Sequence, residues 1–553
     1  MKKECEKQRK VIQGDPISPG YACGKVFFYK DILTRNVFSY NVKRKEIEKE
    51  AGRIKQAFDI VSRDLRHMKE LVGEHVGENY ADIFKVHKEL LKDETLLVDI
   101  EKELERELVN AEHVIKNVFR KWANKFRMSE SDMVRDKAED MEDLGRRVLR
   151  VLLGYEQNVL EKLPPDSIII AARLLPSDTI HIKGKNAKGL FVVHGSKNSH
   201  SAILARNLGI PAVANPSEPL RFNEEDEIIL DGEKGIAIVC PDEKDKKFYR
   251  KKIFNKNKKE KEYIKQSHTK VKTRDGRIIK VYANIVSRKD LEEAIKHGCD
   301  GIGLFRIEQI YMEAKFIPTE RKIVEYLERI IGNHKKLYTT IRLLDVGGDK
   351  KIPGVEIEDE LNAYLGMRGV RLLIKNRTLL ETQLKAIMKV SQKYNVRVML
   401  PMVTLPKEVQ FVKNVAKDCF SGLSGKRGIK PFKIGTMIET PAAVMNVDKI
   451  AKISDFLSIG TNDLIQYTMA AGREDKNVAE YYEVGAKLVL QSIKKVVKAA
   501  EKYGIECSIC GEIAGDLNLT ERLLRTGIRS LSVAPFLVPR VKNRIKKISF
   551  KRP

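Results

Sequence analysis

The chain is predicted to fold as a multidomain α/β protein: a small α/β unit interrupted by a helical bundle, then a closed (β/α)8, or TIM, barrel. Three observations predict it. At 553 residues the chain is too long for one hydrophobic core and calls for several units. Between about residue 42 and residue 154 proline is absent and apolar residues recur at helical spacing, as in Ile83, Phe84, Val86, Leu90 and Leu91. From about residue 269 onward, apolar runs of strand length alternate eight times with stretches long enough for a helix.

In chain order, Val11-Ile12-Gln13 and Lys25–Tyr29 flank the turn Ser18-Pro19-Gly20, which reads as strand, turn, strand. The helical stretch that follows is expected to be an antiparallel bundle inserted into this unit. His87 lies among its apolar residues, where a structural or docking role is expected. Strand pattern returns at Ser167–Ala172 and Ala187–Val193 and leads into the small-residue loop Gly195-Ser196-Lys197-Asn198-Ser199. Ser199 is a natural N-cap, so His200 falls at the first turn of a short helix, where backbone N–H groups and the helix dipole favour negative charge. A histidine there is suited to accepting a phosphoryl group and passing it on. The turn Gly209-Ile210-Pro211 enters another strand, and Asp226–Val239 closes the unit as a hairpin. A Lys-rich run over 241–268 reads as a solvated helical connector and a place for a hinge. The expected units are 1–34 with 151–240, the helical insertion 35–150, the connector 241–268 and the barrel 269–553.

The barrel strands are expected at Val281–Ile285, Gly301–Phe305, Thr339–Asp345, Val396–Pro401, Phe432–Glu439, Phe456–Thr461, Ile505–Cys510 and Ser530–Pro535. Reactive residues gather at their C-terminal ends, where such barrels carry their chemistry. These are Arg306, Arg342, Glu439, Asn462, Asp463, Arg473 and Cys510. Glu439 and Asp463 lie one strand–helix unit apart, so their carboxylates emerge on one face, an arrangement that suits Mg²⁺. Arginines converging on such a site can hold phosphate and carboxylate in bidentate fashion. Together these residues form a second site, built for a phosphate ester.

Composition narrows the classes further. A formal charge of +27 invites nucleic-acid binding, but 104 basic residues are interspersed with 77 acidic ones and no nucleic-acid-binding signature accompanies them. No apolar run approaches the ~20 residues that span a bilayer, and no apolar core follows Met1-Lys2-Lys3-Glu4, so a cytoplasmic protein without membrane insertion is expected. Seven scattered cysteines read as reduced thiols, and the lone pair Cys507-Ser508-Ile509-Cys510 lacks the context of a zinc or redox motif.

Long strings in this chain resemble enzyme I of the phosphoenolpyruvate-dependent sugar phosphotransferase system. Among them are SHSAILAR at 199–206, GIPAV at 209–213, GIGLFRIE at 301–308, LGMRGVR at 365–371, IETPAAV at 438–444, SIGTNDLIQYTMA at 458–470 and CGEIAGD at 510–516. The resemblance implies transfer of the phosphoryl group of phosphoenolpyruvate to His200, with release of pyruvate. The small phosphocarrier protein HPr would receive it next, for sugar uptake. It also implies that Thr179 fixes the histidine ring and that Arg306, Arg342, Asn462, Asp463 and Arg473 contact phosphoenolpyruvate. Arg368 and Lys350 would support them, Glu439 and Asp463 would ligate Mg²⁺, and Cys510 would protonate the departing enolate. The helical insertion would dock the carrier, and the barrel would form a homodimer. A regulatory phosphotransfer protein of the same family and a pyruvate,phosphate dikinase-like enzyme are the alternatives. The chain departs from the family at Ser196 and Asn198, where Gly and Thr are usual, and at Arg173, where an acid is common.

Overall fold

The computed structural model describes residues 9–29, 39–75, 83–129, 132–154, 223–224, 226–313, 316–347, 362–423, 432–472 and 478–550. It also describes 160, 163–172, 174, 182, 187–193, 205, 209–217 and 355. The chain divides into two compact units, residues 1–257 and 258–553.

Among the described residues the first unit holds an eight-stranded sheet and a helical bundle. Its strands are β1 (Lys10–Gln13), β2 (Asp15–Ser18), β3 (Tyr21–Tyr29), β4 (Ser167–Ala171), β5 (Ala187–Val192), β6 (Ala212–Ala214), β7 (Glu227–Asp231) and β8 (Ile236–Val239), in the order β1-β8-β7-β3-β4-β5-β6-β2. The middle run β3-β4-β5-β6 is parallel, and its β4, Ser-Ile-Ile-Ile-Ala, is buried throughout, as a strand covered on both faces must be. The β7–β8 pair is the expected hairpin, with Asp231 accepting the N–H groups of Glu233 and Lys234 in the turn.

Between β3 and β4 lie helices Ile47–His75, Ile83–Leu90, Glu94–Glu107, Ala111–Arg127 and Asp132–Leu152. They form because apolar residues at helical spacing give each a face to bury: Ile54, Phe58, Val61 and Leu65 meet Leu96, Ile100, Val118, Phe119, Leu144 and Val148 in one core. Asp93 caps the third helix by accepting from the N–H groups of Thr95 and Leu96. His87 is fully buried, edge-on to Phe84, with Nε2 3.2 Å from Asp140. That is a structural position.

In the second unit, β10 (Ile278–Ile285), β11 (Ile302–Arg306), β12 (Thr339–Arg342), β13 (Val396–Leu400), β14 (Ile434–Ile438), β15 (Phe456–Gly460), β16 (Glu506–Cys510) and β17 (Ser530–Val533) are all parallel. Because β10 pairs with both β11 and β17, the sheet closes into a barrel, and the short β9 (Val271–Lys272) adds an antiparallel edge to β10. Each of the eight expected barrel strands is present, five of them one to three residues shorter at the C-terminal end. The backbone there turns away from the ladder to start loops and helices.

The helix Glu243–Ser267 covers the stretch read as a connector. Its first half is fastened to the small sheet: Tyr249 donates to Asp231 at 3.1 Å, and Lys252 lies 4.6 Å from the centre of the Tyr21 ring. Its last residue is fastened to the barrel unit: the buried Lys542 ammonium donates to the carbonyls of Ser267 and Gly298 and to Asp300. Among the described residues no helix is long and apolar enough to cross a membrane.

Candidate active site

The C-terminal mouth of the barrel collects the predicted residues because each sits at, or just past, the end of a strand. Arg306 ends β11, Arg342 ends β12, Glu439 follows β14, and Cys510 ends β16. Asn462 and Asp463 lie in the first turn of the helix Thr461–Met469, which begins directly after β15. Arg306 is exposed, whereas Arg342 is 7% exposed and Glu439 only 1%.

Two carboxylates that sequence reasoning gave no role hold the arginines. The Nη2 of Arg342 donates to Oε1 of Glu308 at 2.8 Å, and its Nη1 lies 3.1 Å from Asp345 Oδ2. Asp345 also accepts both Nε and Nη2 of Arg368 at 3.1 Å, a bidentate pair. The second Nη of Arg368 reaches Asp463 at 2.9 Å and the phenol of Tyr467 at 3.3 Å. Burial works against the charge on both guanidiniums. The carboxylates outweigh it, Glu308 and Asp345 for Arg342, Asp345 and Asp463 for Arg368, so both pKa values are raised and both cations are permanent. Local spacing could have found the two acids: Glu308 is two residues past Arg306, and Asp345 three past Arg342.

Glu439 is held by the backbone N–H of Met402, a residue at φ +54°, and it packs so closely on β15 that a Cβ at Gly460 would lie 2.5 Å from its Oε2. Burial first, and then Asp463 and Asp345, push its carboxyl up to about 8 against the pull of Arg342. Among the described residues no group of three or more His, Cys, Asp or Glu is placed to hold an ion on its own. A buried carboxyl raised by two neighbouring carboxylates is nonetheless a site short of positive charge. Glu439 and Asp463 as oxygen donors, with further positions open to substrate and water, fit a divalent cation.

Asn462 is fixed by the N–H of Glu512, which donates to its Oδ1 at 2.9 Å. That approach requires Gly511 at φ +98°, where a Cβ would fall 2.1 Å from Thr461 Oγ1 and 2.8 Å from Asn462 Oδ1. Cys510 is 2% exposed, its sulfur 3.4 Å from the Ile459 carbonyl and 3.7 Å from Ser458 Oγ. Burial, helped by Glu439 and opposed by the Ser458 hydroxyl, Arg342 and Arg306, pushes its thiol up to about 11. It is a protonated thiol at neutral pH. The geometry therefore brings together Arg342, Arg368, Glu439, Asp463 and Cys510. His200, Thr179, Arg473 and Lys350 lie outside the described residues, as do Arg173, Ser196 and Asn198.

Three family models match in series: the N-terminal domain of PEP-utilising enzymes over residues 13–137, their mobile domain over 163–235 and their PEP-binding domain over 259–550. The phosphoenolpyruvate-protein phosphotransferase of Listeria innocua is 32% identical over 543 residues, spanning 98% of this chain and 94% of that protein. The chain belongs to this family. The same-named proteins of Priestia megaterium and Bacillus subtilis are each 31% identical, spanning 98% and 97% of this chain and 94% of their own lengths. Membership gives the mouth a context: the carboxylate-held arginines and the buried thiol all lie within the stretch matched as a PEP-binding domain.

Proposed function

We propose that this chain takes the phosphoryl group of phosphoenolpyruvate onto His200, releases pyruvate, and passes the group to the phosphocarrier protein HPr for sugar uptake. The observation that carries this is the set of charges at the barrel mouth. Arg342 and Arg368 are held as permanent cations beside Glu439 and Asp463, in a chain whose relatives are phosphoenolpyruvate-protein phosphotransferases.

The residues divide the work by chemistry. Arg306, Arg342, Arg368 and Arg473 bind the phosphate and carboxylate of the substrate, with Asn462 and Lys350 as further polar contacts. Glu439 and Asp463 would hold Mg²⁺, which would neutralise charge on the transferring phosphoryl group. The P–O bond to the enolate breaks as a P–N bond to His200 forms, with Thr179 holding the ring and its tautomer. The enolate carbon takes its proton from the Cys510 thiol, and solvent reprotonates the thiolate. Positioning and electrostatic stabilisation supply most of the rate in such transfers.

The domain assignment rests on the same footing. Residues 1–34 with 151–240 carry the histidine, 35–150 dock the carrier, 241–268 link and hinge the halves, and 269–553 bind the substrate in the cytoplasm. The link is supported by the helix Glu243–Ser267, whose ends are fastened separately to the two units. A homodimer through the barrel is supported by the helix Ala479–Lys502, which leaves Tyr481, Val484 and Leu488 exposed at i, i+3, i+7. The deciding experiment labels the intact protein and His200→Ala with phosphoenolpyruvate carrying radioactive phosphate, in the presence of Mg²⁺. Acid-labile, base-stable label on the intact protein alone is expected; an unlabelled intact protein would sink the proposal.

A further inference from the structure

The helix Thr461–Met469 presents Asp463 and Tyr467 one turn apart, at i and i+4, so both side chains rise on one face. Both meet the same atom: Nη1 of Arg368 lies 2.9 Å from Asp463 Oδ1 and 3.3 Å from Tyr467 Oη. The phenol accepts from Arg368, so its own hydrogen is free to go elsewhere, and it goes to the backbone carbonyl of Tyr364 at 2.6 Å. Tyr364 belongs to the short turn Ala363–Leu365, whose Tyr364 and Leu365 side chains are 46% and 64% exposed. The next two carbonyls, those of Leu365 and of Gly366 just past the turn, accept from Nη1 of Arg371 at 3.2 and 3.3 Å. Three successive carbonyls at a surface turn are thus captured by side chains, and one of those side chains continues into the charged mouth.

We propose that Tyr467 is a positioning residue that ties the guanidinium of Arg368 to the surface turn Ala363–Leu365, so that the turn and the phosphate-binding arginine move as one. The chain of contacts runs from the turn carbonyl to the phenol hydrogen, and from the phenol oxygen to the cation. The Asp345 carboxylate grips the other edge of the same guanidinium. Without the phenol hydroxyl, Arg368 keeps its charge and its carboxylates but loses the contact that fixes Nη1 relative to the turn. A cation that binds substrate and transition state alike is then less well placed for both, which raises KM and leaves kcat.

This rests on phosphoenolpyruvate binding at the barrel mouth, and the test separates the two claims. Tyr467→Phe removes only the hydroxyl. In the full chain its KM for phosphoenolpyruvate is expected to rise about tenfold with kcat within about twofold. Hydrogen exchange, measured with and without phosphoenolpyruvate, is expected to show ligand-induced protection of amides 362–366 in the natural protein and none in Tyr467→Phe. Tyr326→Phe removes a barrel phenol that donates instead to the Val286 carbonyl, and it should match the natural protein in both measurements. An unchanged KM in Tyr467→Phe, or an equal rise in Tyr326→Phe, overturns the role of Tyr467. So does ligand protection at 302–308 without any at 362–366 in the natural protein. If the natural protein shows protection at neither place, the proposed function fails and this inference fails with it.

Discussion

The barrel carries a cluster of opposite charges at each of its two mouths, and the two are built differently. At the N-terminal mouth Glu506 accepts from Arg397 at 2.9 Å and from the phenols of Tyr282 and Tyr338 at 3.0 Å each. Arg397 also donates to Thr340 and stacks 3.5 Å from the centre of the Phe456 ring. Burial alone would raise Glu506, but Arg397, helped by Lys280 and the Tyr282 phenol, outweighs it and the pKa of the acid is lowered, while burial lowers Arg397 itself. At the C-terminal mouth Glu439 is raised instead, and among the described residues the buried Nε of Arg342 has no hydrogen-bond partner. One mouth is closed on itself. The other is left with unmet charge and an unmet donor, which is what a binding site for an anion and its cation requires.

The largest effect that would break this contrast is at Glu439. Glu439→Gln is expected to lower kcat/KM about 1,000-fold, while the melting temperature stays level or rises, because a repelled carboxyl has been removed. A fall in both, as for an ordinary buried residue, would erase the distinction between the mouths. The reverse pattern is expected at Arg397→Met. Leaving the partly buried Glu506 with its phenols and Lys280 but no guanidinium should cost the barrel roughly 1–3 kcal/mol in denaturant unfolding, with KM for phosphoenolpyruvate unchanged. Next in size is Cys510→Ser. Pyruvate formation should fall about 100-fold, and in the natural protein alkylation of Cys510 by iodoacetamide should stay slow from pH 6 to 9, since burial pushes the thiol up to about 11.

The smallest effect sharpens the sign of the Glu439 shift. Its pKa is raised on folding, so the folded chain keeps a proton that the unfolded chain has lost. Stability from this group is therefore present at low pH and disappears as pH climbs from the usual carboxylate range to about 8. In metal-free protein, the natural chain should lose stability relative to Glu439→Gln by up to ~1.4 kcal/mol per pH unit in that window and no more above it. Calorimetry at pH 7 in two buffers of different ionisation enthalpy should show proton release when Mg²⁺ binds. Equal heats in both buffers would contradict the raised carboxyl.

The eight barrel strands, the inserted bundle and the hairpin were legible because their signals are local. Apolar period, missing proline and turn residues act within a few positions, and the buried patterns of β4, β13 and β15 are written in their own residues. Arg342, Glu439, Asp463 and Cys510 were legible for a related reason: once the strands are counted, a strand end fixes the mouth at which a side chain emerges.

What only tertiary structure decided is which charge meets which. Arg368 lies in no strand, and its partners Asp345, Asp463 and Tyr467 come from 23, 95 and 99 residues away. Arg397 and Glu506, 109 residues apart, look no different in the sequence from any other Arg and Glu. Whether a carboxylate ends up satisfied or raised depends on burial and on charges a few ångströms away, and those distances exist only after the barrel closes. The sequence determined the strands and the mouth to which each residue belongs. The closure of β10 on β17 decided that one mouth would be sealed and the other left reactive.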